Sequence, residues 1–364
     1  MKKPGPTGLG GGSSGGGGGS GGAKGVWWKN QSIVIAGVGF VAICCVGIFF
    51  LINNGKGGEP TPNSSTSPSP SPSISGKPDS SNPPIGNDPS VTDIDTSLPN
   101  PKVLAIDGSV TMVRLVKVLR NGYSQVNANL PTTYGGLDSN GNPQDGDVVQ
   151  PSGSAQGLKN LIDNKVMVVA TSRPLKPEEA KAGITAIAIA RDAVAIVVGK
   201  ENPFQGGLSK TQLRNIYAGK ITNWSEVGGP NLPIKVYNRH ASSGTQGFFK
   251  DEVMLDANFA PDGENFKTWE RDETTAVLQV LGNNGIYYTT VTQAERQPTI
   301  RVVPIDGISP ENRKAIVDRT YPIVRFVYLA VPKQSSPAVK QFVEFALSDE
   351  GQRLVEQAEF IRLK

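Results

Sequence analysis

The chain has almost no cysteine and almost no histidine. Its 364 residues include two cysteines, Cys44 and Cys45, adjacent within an apolar run, and one histidine, His240. Nothing beyond residue 45 can form a disulfide or a thiolate metal site. With one imidazole, zinc ligation and Cys–His catalysis lack the side chains they need. A strong charge of either sign is missing too: 36 Lys+Arg against 32 Asp+Glu leaves +4. That surplus is too small to argue for nucleic acid or an anionic membrane surface as a partner. There is no G-x-S-x-G elbow, and His240 and Ser243 lie three residues apart in one loop, a poor geometry for a base and its nucleophile. The expectation is no catalytic residue, no metal and no cofactor.

What is present falls into four segments. Residues 1–25 hold 13 glycines and no acidic residue. Such a stretch cannot bury enough apolar surface to offset ordering its backbone, so 1–31 is expected to be a disordered tail. From Ile33 to Ile52 no residue is charged, a length that spans a bilayer as a helix. We expect a transmembrane helix over 32–52, with Trp27 and Trp28 at the interface. Lys24 and Lys29 set the N-terminus in the cytoplasm. A cleaved secretory signal is the alternative, but the run is long and lacks a small-x-small cleavage pattern. Residues 53–100 contain ten prolines, eleven serines and no aromatic residue, the composition of a disordered stalk.

Residues 101–364 alternate short strand-like runs with helical patterns. The strand-like runs are "KVLAID", "VMVVA", "ITAIAIA", "AVAIVV", "PIKVYN", "IRVVPID" and "VRFVYLAV". The helical ones are "MVRLVKVLR", "SAQGLKNLID", "SKTQLRNIYAG", "TAVLQVLGN" and "PAVKQFVEFALSDEGQRLVEQA". Such alternation predicts an α/β fold with mainly parallel strands. Its size is near that at which one core divides into two.

Three loops share one design, each a Ser/Thr-rich turn that follows a strand and opens a helix: "IDGSVTM" with Ser109 and Thr111, "PSGSAQG" with Ser152 and Ser154, and "RHASSGTQG" with Ser242, Ser243, Gly244 and Thr245. The first turn of a helix offers unpaired N–H donors and a partial positive charge. Hydroxyls add donors, glycine lets the backbone approach, and Arg239 supplies a fixed bidentate cation. Taken singly, each loop is equally an ordinary N-cap. Together they suggest a shared anion site if they converge. "DSNGNPQDGDVV" opens with calcium-loop spacing at Asp138, Asn140 and Asn142. It has Pro143 where glycine is needed and Val149 where glutamate is needed, which favours a surface hairpin. Trp224 is expected to pack, Arg173 and Lys176 to be solvated surface charges, and Asp107 to form a turn, with a direct carboxylate role left open.

The stretches "DGSVTM", "SGSAQGLKNLIDNKVMVVATSRPLKPEE", "LRNIYAGKITNWSEVGG", "NRHASSGTQGFF" and "YPIVRFVYLAVP" resemble the phosphate-binding proteins of ABC importers, in order along residues 101–364. The resemblance implies a periplasmic-binding-protein fold of two α/β lobes with two hinge strands, near "ARDAV" and "YPIVRF". Lobe one would be 101–190 with 323–364, and lobe two 191–322. Phosphate contacts would fall to Thr111, the Met112 backbone, Ser154, Ser172, Arg239, Ser243, Gly244 and Thr245. Two departures stand out: Ser172 occupies the place of the family's proton-accepting aspartate, and Ala241 that of the arginine's acidic neighbour. An extra stretch, 131–149, follows the first helix. The implied function is extracytoplasmic capture of inorganic phosphate and delivery to ABC permease subunits, by a monomer held at the membrane. The alternatives are a phosphate-sensing receptor and a phosphatase.

Overall fold

The computed structural model describes residues 89–146 and 150–363. The expected tail, membrane helix and most of the stalk lie outside these residues. Among the described residues, no helix is long and apolar enough to cross a membrane.

The architecture grows from two similar halves. In the first, β1 (Leu104–Gly108) runs parallel to both β2 (Thr132–Tyr134) and β3 (Val168–Thr171). In the second, β5 (Lys235–Asn238) runs parallel to both β6 (Phe266–Thr268) and β7 (Gly285–Thr290). The strands that join the halves run the other way. The 16-residue β4 (Ile184–Gly199) and the nine-residue β9 (Val324–Pro332) pair antiparallel from Ile184↔Pro332 to Ala193↔Val324. Beyond Ala193, β4 enters the second sheet, antiparallel to β7 and to β8 (Ile300–Val303). The sheet is therefore mixed, a correction to the mainly parallel expectation. Helical crossovers impose parallel pairing inside each half, but a chain that passes between halves and returns meets itself antiparallel.

Each half has its own core. One buries Ile106, Leu119, Val168, Val327 and Phe342, and the other Ile196, Trp224, Phe249, Tyr288 and Ile323. Trp224 stacks on Phe204 with ring centroids 4.7 Å apart, so it packs as its sequence suggested. The runs "ITAIAIA" and "AVAIVV" are one continuous strand, not two. Asp192 can sit inside it because Arg325 on β9 neutralises it there. Conversely, the last helical run divides into Pro337–Leu347 and Asp349–Gln357. Ser348 closes one helix and caps the next, accepting from the Gly351 N–H at 3.1 Å.

The stalk expectation also needs trimming at its end. Ile94 is buried in the first core, and Asp95 bonds through its backbone to Lys333 and Ser335. Residues from about 90 onward thus belong to the folded body.

Candidate functional site

The three Ser/Thr loops meet between the halves. Each is aimed inward by the turn that ends its strand. β1 finishes at Gly108 with φ +125°, and a Cβ there would strike the Ala170 carbonyl, so only glycine lets β1 approach β3 this closely. The chain then turns through Ser109, whose hydroxyl lies 2.8 Å from that of Thr111 and donates to that of Ser172 at 3.0 Å. Ser154 opens the helix Ser154–Ile162, and its Oγ accepts the Ser172 N–H at 3.2 Å. Ser243 caps the helix Gly244–Phe249 in the other half. Ser109, Thr111, Ser154, Ser172, Ser243 and Thr245 are all buried. Gly244 closes the arrangement across the cleft: a Cβ built on it would lie 2.2 Å from Ser154 Oγ and 2.5 Å from Ser172 Oγ. A second cross-cleft link runs from the Ala155 N–H to the Ser242 carbonyl at 3.1 Å. Met112 is buried, and its N–H closes the first turn onto the Ser109 carbonyl at 3.1 Å.

Arg239 stands behind this cluster, 1 % exposed. Nε donates to Ser243 Oγ at 2.6 Å, one terminal nitrogen to Thr274 Oγ1 and the Tyr287 hydroxyl, and the other to Asp272 at 2.5 Å. Of five guanidinium N–H groups these bonds use four. Burial alone would lower the pKa of Arg239. Asp272, with Tyr287 and Tyr288, outweighs it and raises the value, so the charge is secure. Burial also pushes the Tyr287 hydroxyl up to about 12, despite the neighbouring Arg239 charge, so Tyr287 stays protonated while its oxygen accepts from Arg239. Asp272 therefore supplies, from a distant loop, the acidic partner missing at Ala241.

A second buried pair was missed by sequence reasoning. Arg325, also 1 % exposed, grips Asp192 at 2.6 and 3.0 Å. Its remaining terminal nitrogen donates to the Ser172 carbonyl at 3.1 Å and to Thr245 Oγ1 at 2.9 Å. One side chain on the hinge thus touches a site residue of each half. The available signal was a lone arginine in "VRFVYLAV" and a lone aspartate in "ARDAVAIVV", because a charge inside a buried strand needs a partner.

Other candidates resolve differently. Asp107 is fully buried, and burial raises its pKa despite accepting from Ser152 N–H, Asn160 and Gly108 N–H. Its work is to tie β1 to the second loop. Arg173 corrects the expectation of a solvated charge: it is buried and paired with Glu179 at 2.6 Å, whereas Lys176 is exposed. The His240 ring nitrogen Nδ1 lies 2.8 Å from Ser242 Oγ, while Ser243 meets His240 only through its N–H to the His240 carbonyl; His240 lines a cavity of about 540 Å³ with Ser152, Asp272 and Glu273. Asp138 accepts from the backbone of Asn140 and Asn142, a self-contained turn, and among the described residues no cluster could hold a metal ion.

Two α/β lobes that meet at a buried cluster of hydroxyls, with a guanidinium behind it, are the architecture of a solute-binding protein. The chain belongs to the PBP superfamily, whose domain profile matches residues 98–350. It is 25 % identical over 275 residues to the phosphate-binding protein PstS of Borreliella burgdorferi, covering 73 % of this chain and 91 % of that one. To PstS of Staphylococcus saprophyticus it is 28 % identical over 275 residues, 71 % of this chain and 79 % of the relative. Among solved structures, a Clostridium perfringens substrate-binding protein assigned to phosphate ABC transport, with phosphate bound, superposes with a TM-score of 0.61. Identity there is 25 %, over 72 % of this chain and all of that one. An ABC-type phosphate transport receptor from Vibrio cholerae shares the fold, with a TM-score of 0.58 at 24 % identity, over 71 % of this chain and 99 % of that one. The family is one of solute-binding proteins, not enzymes.

Proposed function

We propose that this chain captures inorganic phosphate outside the cytoplasm and delivers it to the permease subunits of an ABC importer, acting as a monomer tethered by a membrane helix at 32–52. The observation that carries the reading is the convergence of Ser109, Thr111, Ser154 and Ser172 from one lobe with Ser243, Gly244 and Thr245 from the other, backed by Arg239. The names of the relatives and the phosphate in the Clostridium perfringens structure support it.

The mechanism follows from the donors. Hydroxyls that bond to one another within a lobe can exchange those bonds for bonds to a tetrahedral oxyanion. Since both lobes donate to the same anion, binding favours closure. The hinge strands β4 and β9 provide the only continuous sheet between the lobes among the described residues, and Arg325 follows the motion because it touches Ser172 and Thr245. Closure excludes water and strengthens each charge-assisted bond.

Selectivity is the point at which this site departs from its family. The carboxylates around the cluster are all occupied: Asp107 by backbone and Asn160, Asp192 by Arg325, Asp272 by Arg239. Each of these carboxylates is turned to another partner, and none bonds to a hydroxyl of the cluster. Ser172 can accept from phosphate and equally donate to sulfate. We infer weaker discrimination against sulfate and arsenate than an acidic residue would give. A thermal-shift series on the full-length chain with phosphate, sulfate, arsenate, molybdate and phosphonates tests both points. Phosphate at about 100 times its Kd should add about 2.7 kcal/mol, with sulfate stabilising detectably. No stabilisation by phosphate would remove the function, and none by sulfate would remove the selectivity argument.

A further inference from the structure

Successive residues of a strand face opposite ways, and the hinge ribbon uses both faces. Across β4 and β9, Asp192 is registered with Arg325 and Arg191 with Phe326. The Asp192–Arg325 face looks toward the ligand cluster. The other face carries a different arrangement. Arg191 lies over the Phe326 ring at 5.7 Å, and Arg319 lies over the same ring at 5.3 Å. Arg191 Nε is buried with no hydrogen-bond partner, and the side chain's hydrogen bond is a 3.5 Å one to the Val317 carbonyl. Burial and the neighbouring Arg319 charge both lower its pKa.

This face opens onto a cavity of about 330 Å³. Arg191 enters it from the hinge, Arg313 from the helix Arg313–Val317 of lobe two, and Arg362 from the C-terminal segment of lobe one. The acidic groups nearby are Glu356, 3.3 Å from Arg362, Glu295, whose carboxyl feels Arg313, and Glu311 and Glu359 close to Glu295; one terminal nitrogen of Arg313 donates to the Glu359 and Phe360 carbonyls at 3.2 and 3.3 Å. Arg191 and Arg319 have no carboxylate within ion-pair distance among the described residues. Guanidiniums gathered around one cavity repel one another unless a counter-charge joins them.

We propose that the back of the hinge is a second anion site, which takes a compact, multiply charged oxyanion between Arg191, Arg313 and Arg362. Planar guanidiniums suit such an anion because each can present two parallel N–H groups to its oxygens. The three arginines come from the hinge and both lobes, so an anion there also ties the lobes to one relative position. The site stands apart from the cleft and does not require the cleft to bind phosphate.

Pyrophosphate is the probe. It is titrated by calorimetry into the full-length chain carrying Arg239→Gln, which isolates the hinge from the cleft. The expected result is one pyrophosphate per chain, with affinity falling as salt rises. Adding Arg191→Gln with Arg319→Asn should weaken it ~10-fold or more. Asparagine is chosen because position 319 has φ +57°, which asparagine tolerates. Arg362→Gln, a change outside the folded core, gives an independent reading should the double variant fail to fold, with an expected loss of several-fold. No binding at physiological salt, or an affinity unmoved by these substitutions, overturns the proposal.

Discussion

Two buried arginines, Arg239 and Arg325, have the same aspartate-paired design and opposite electrostatic outcomes. Asp272 raises the pKa of Arg239 against the pull of burial, and the two neighbouring tyrosines add to the effect. Burial lowers that of Arg325 in spite of Asp192, and the nearby Arg239 charge lowers it further. What each guanidinium touches tells the roles apart. Arg239 uses most of its donors in being held still, and in the proposed function its charge serves the ligand. Arg325 needs Asp192 to be tolerated at all, and connects the hinge to both halves of the site.

The contrast can be broken from either side. Asp192→Ala has the largest expected effect. It leaves Arg325 buried without its carboxylate and should cost about 3–5 kcal/mol of stability, read from denaturant unfolding. Arg239→Ala comes next. It removes the charged donor and should weaken phosphate binding about 100-fold, more than the loss of any single hydroxyl, by calorimetry. Ser172→Asp should be smaller and selective: sulfate affinity falls about tenfold relative to phosphate, since an acceptor facing a fully ionised anion repels it. A third ion pair, on the surface, marks the low end. Bonds from Arg296 and Arg114 hold the Glu359 carboxyl down at about 2. A lowered carboxylate pKa contributes stability that is present above its ordinary range and lost as pH falls toward about 2. Glu359 is partly exposed, so Glu359→Gln should change stability by less than about 1 kcal/mol near neutrality and flatten only the acid limb of the unfolding profile.

How much of this was legible in the sequence depends on the separation of the partners. The Ser/Thr loops could be read because capping and turn chemistry act over a few residues: Ser243 and Arg239 are four apart, and the loop grammar is local. The residues that make Arg239 a held cation are not local. Asp272 is 33 residues away and Tyr287 is 48 away, on a strand whose "GIYYTT" was not among the runs identified. Asp192 and Arg325 are 133 apart, and each looks like a hinge irregularity until the other is beside it. Arg173 misled for the same reason, since exposure was inferred from charge while Glu179 buried it. The stalk ended early because Ile94 finds a hydrophobic core that its proline- and serine-rich surroundings do not advertise.

The central claim is that one tetrahedral oxyanion is held by donors from both lobes, and calorimetric titration of the full-length chain with phosphate tests it most directly. The account predicts a saturable cleft site that takes one phosphate per chain and that Arg239→Ala weakens, separate from the weaker, salt-sensitive binding at the hinge arginines. Saturation absent at millimolar phosphate, or binding that persists at full strength in Arg239→Ala, would contradict it.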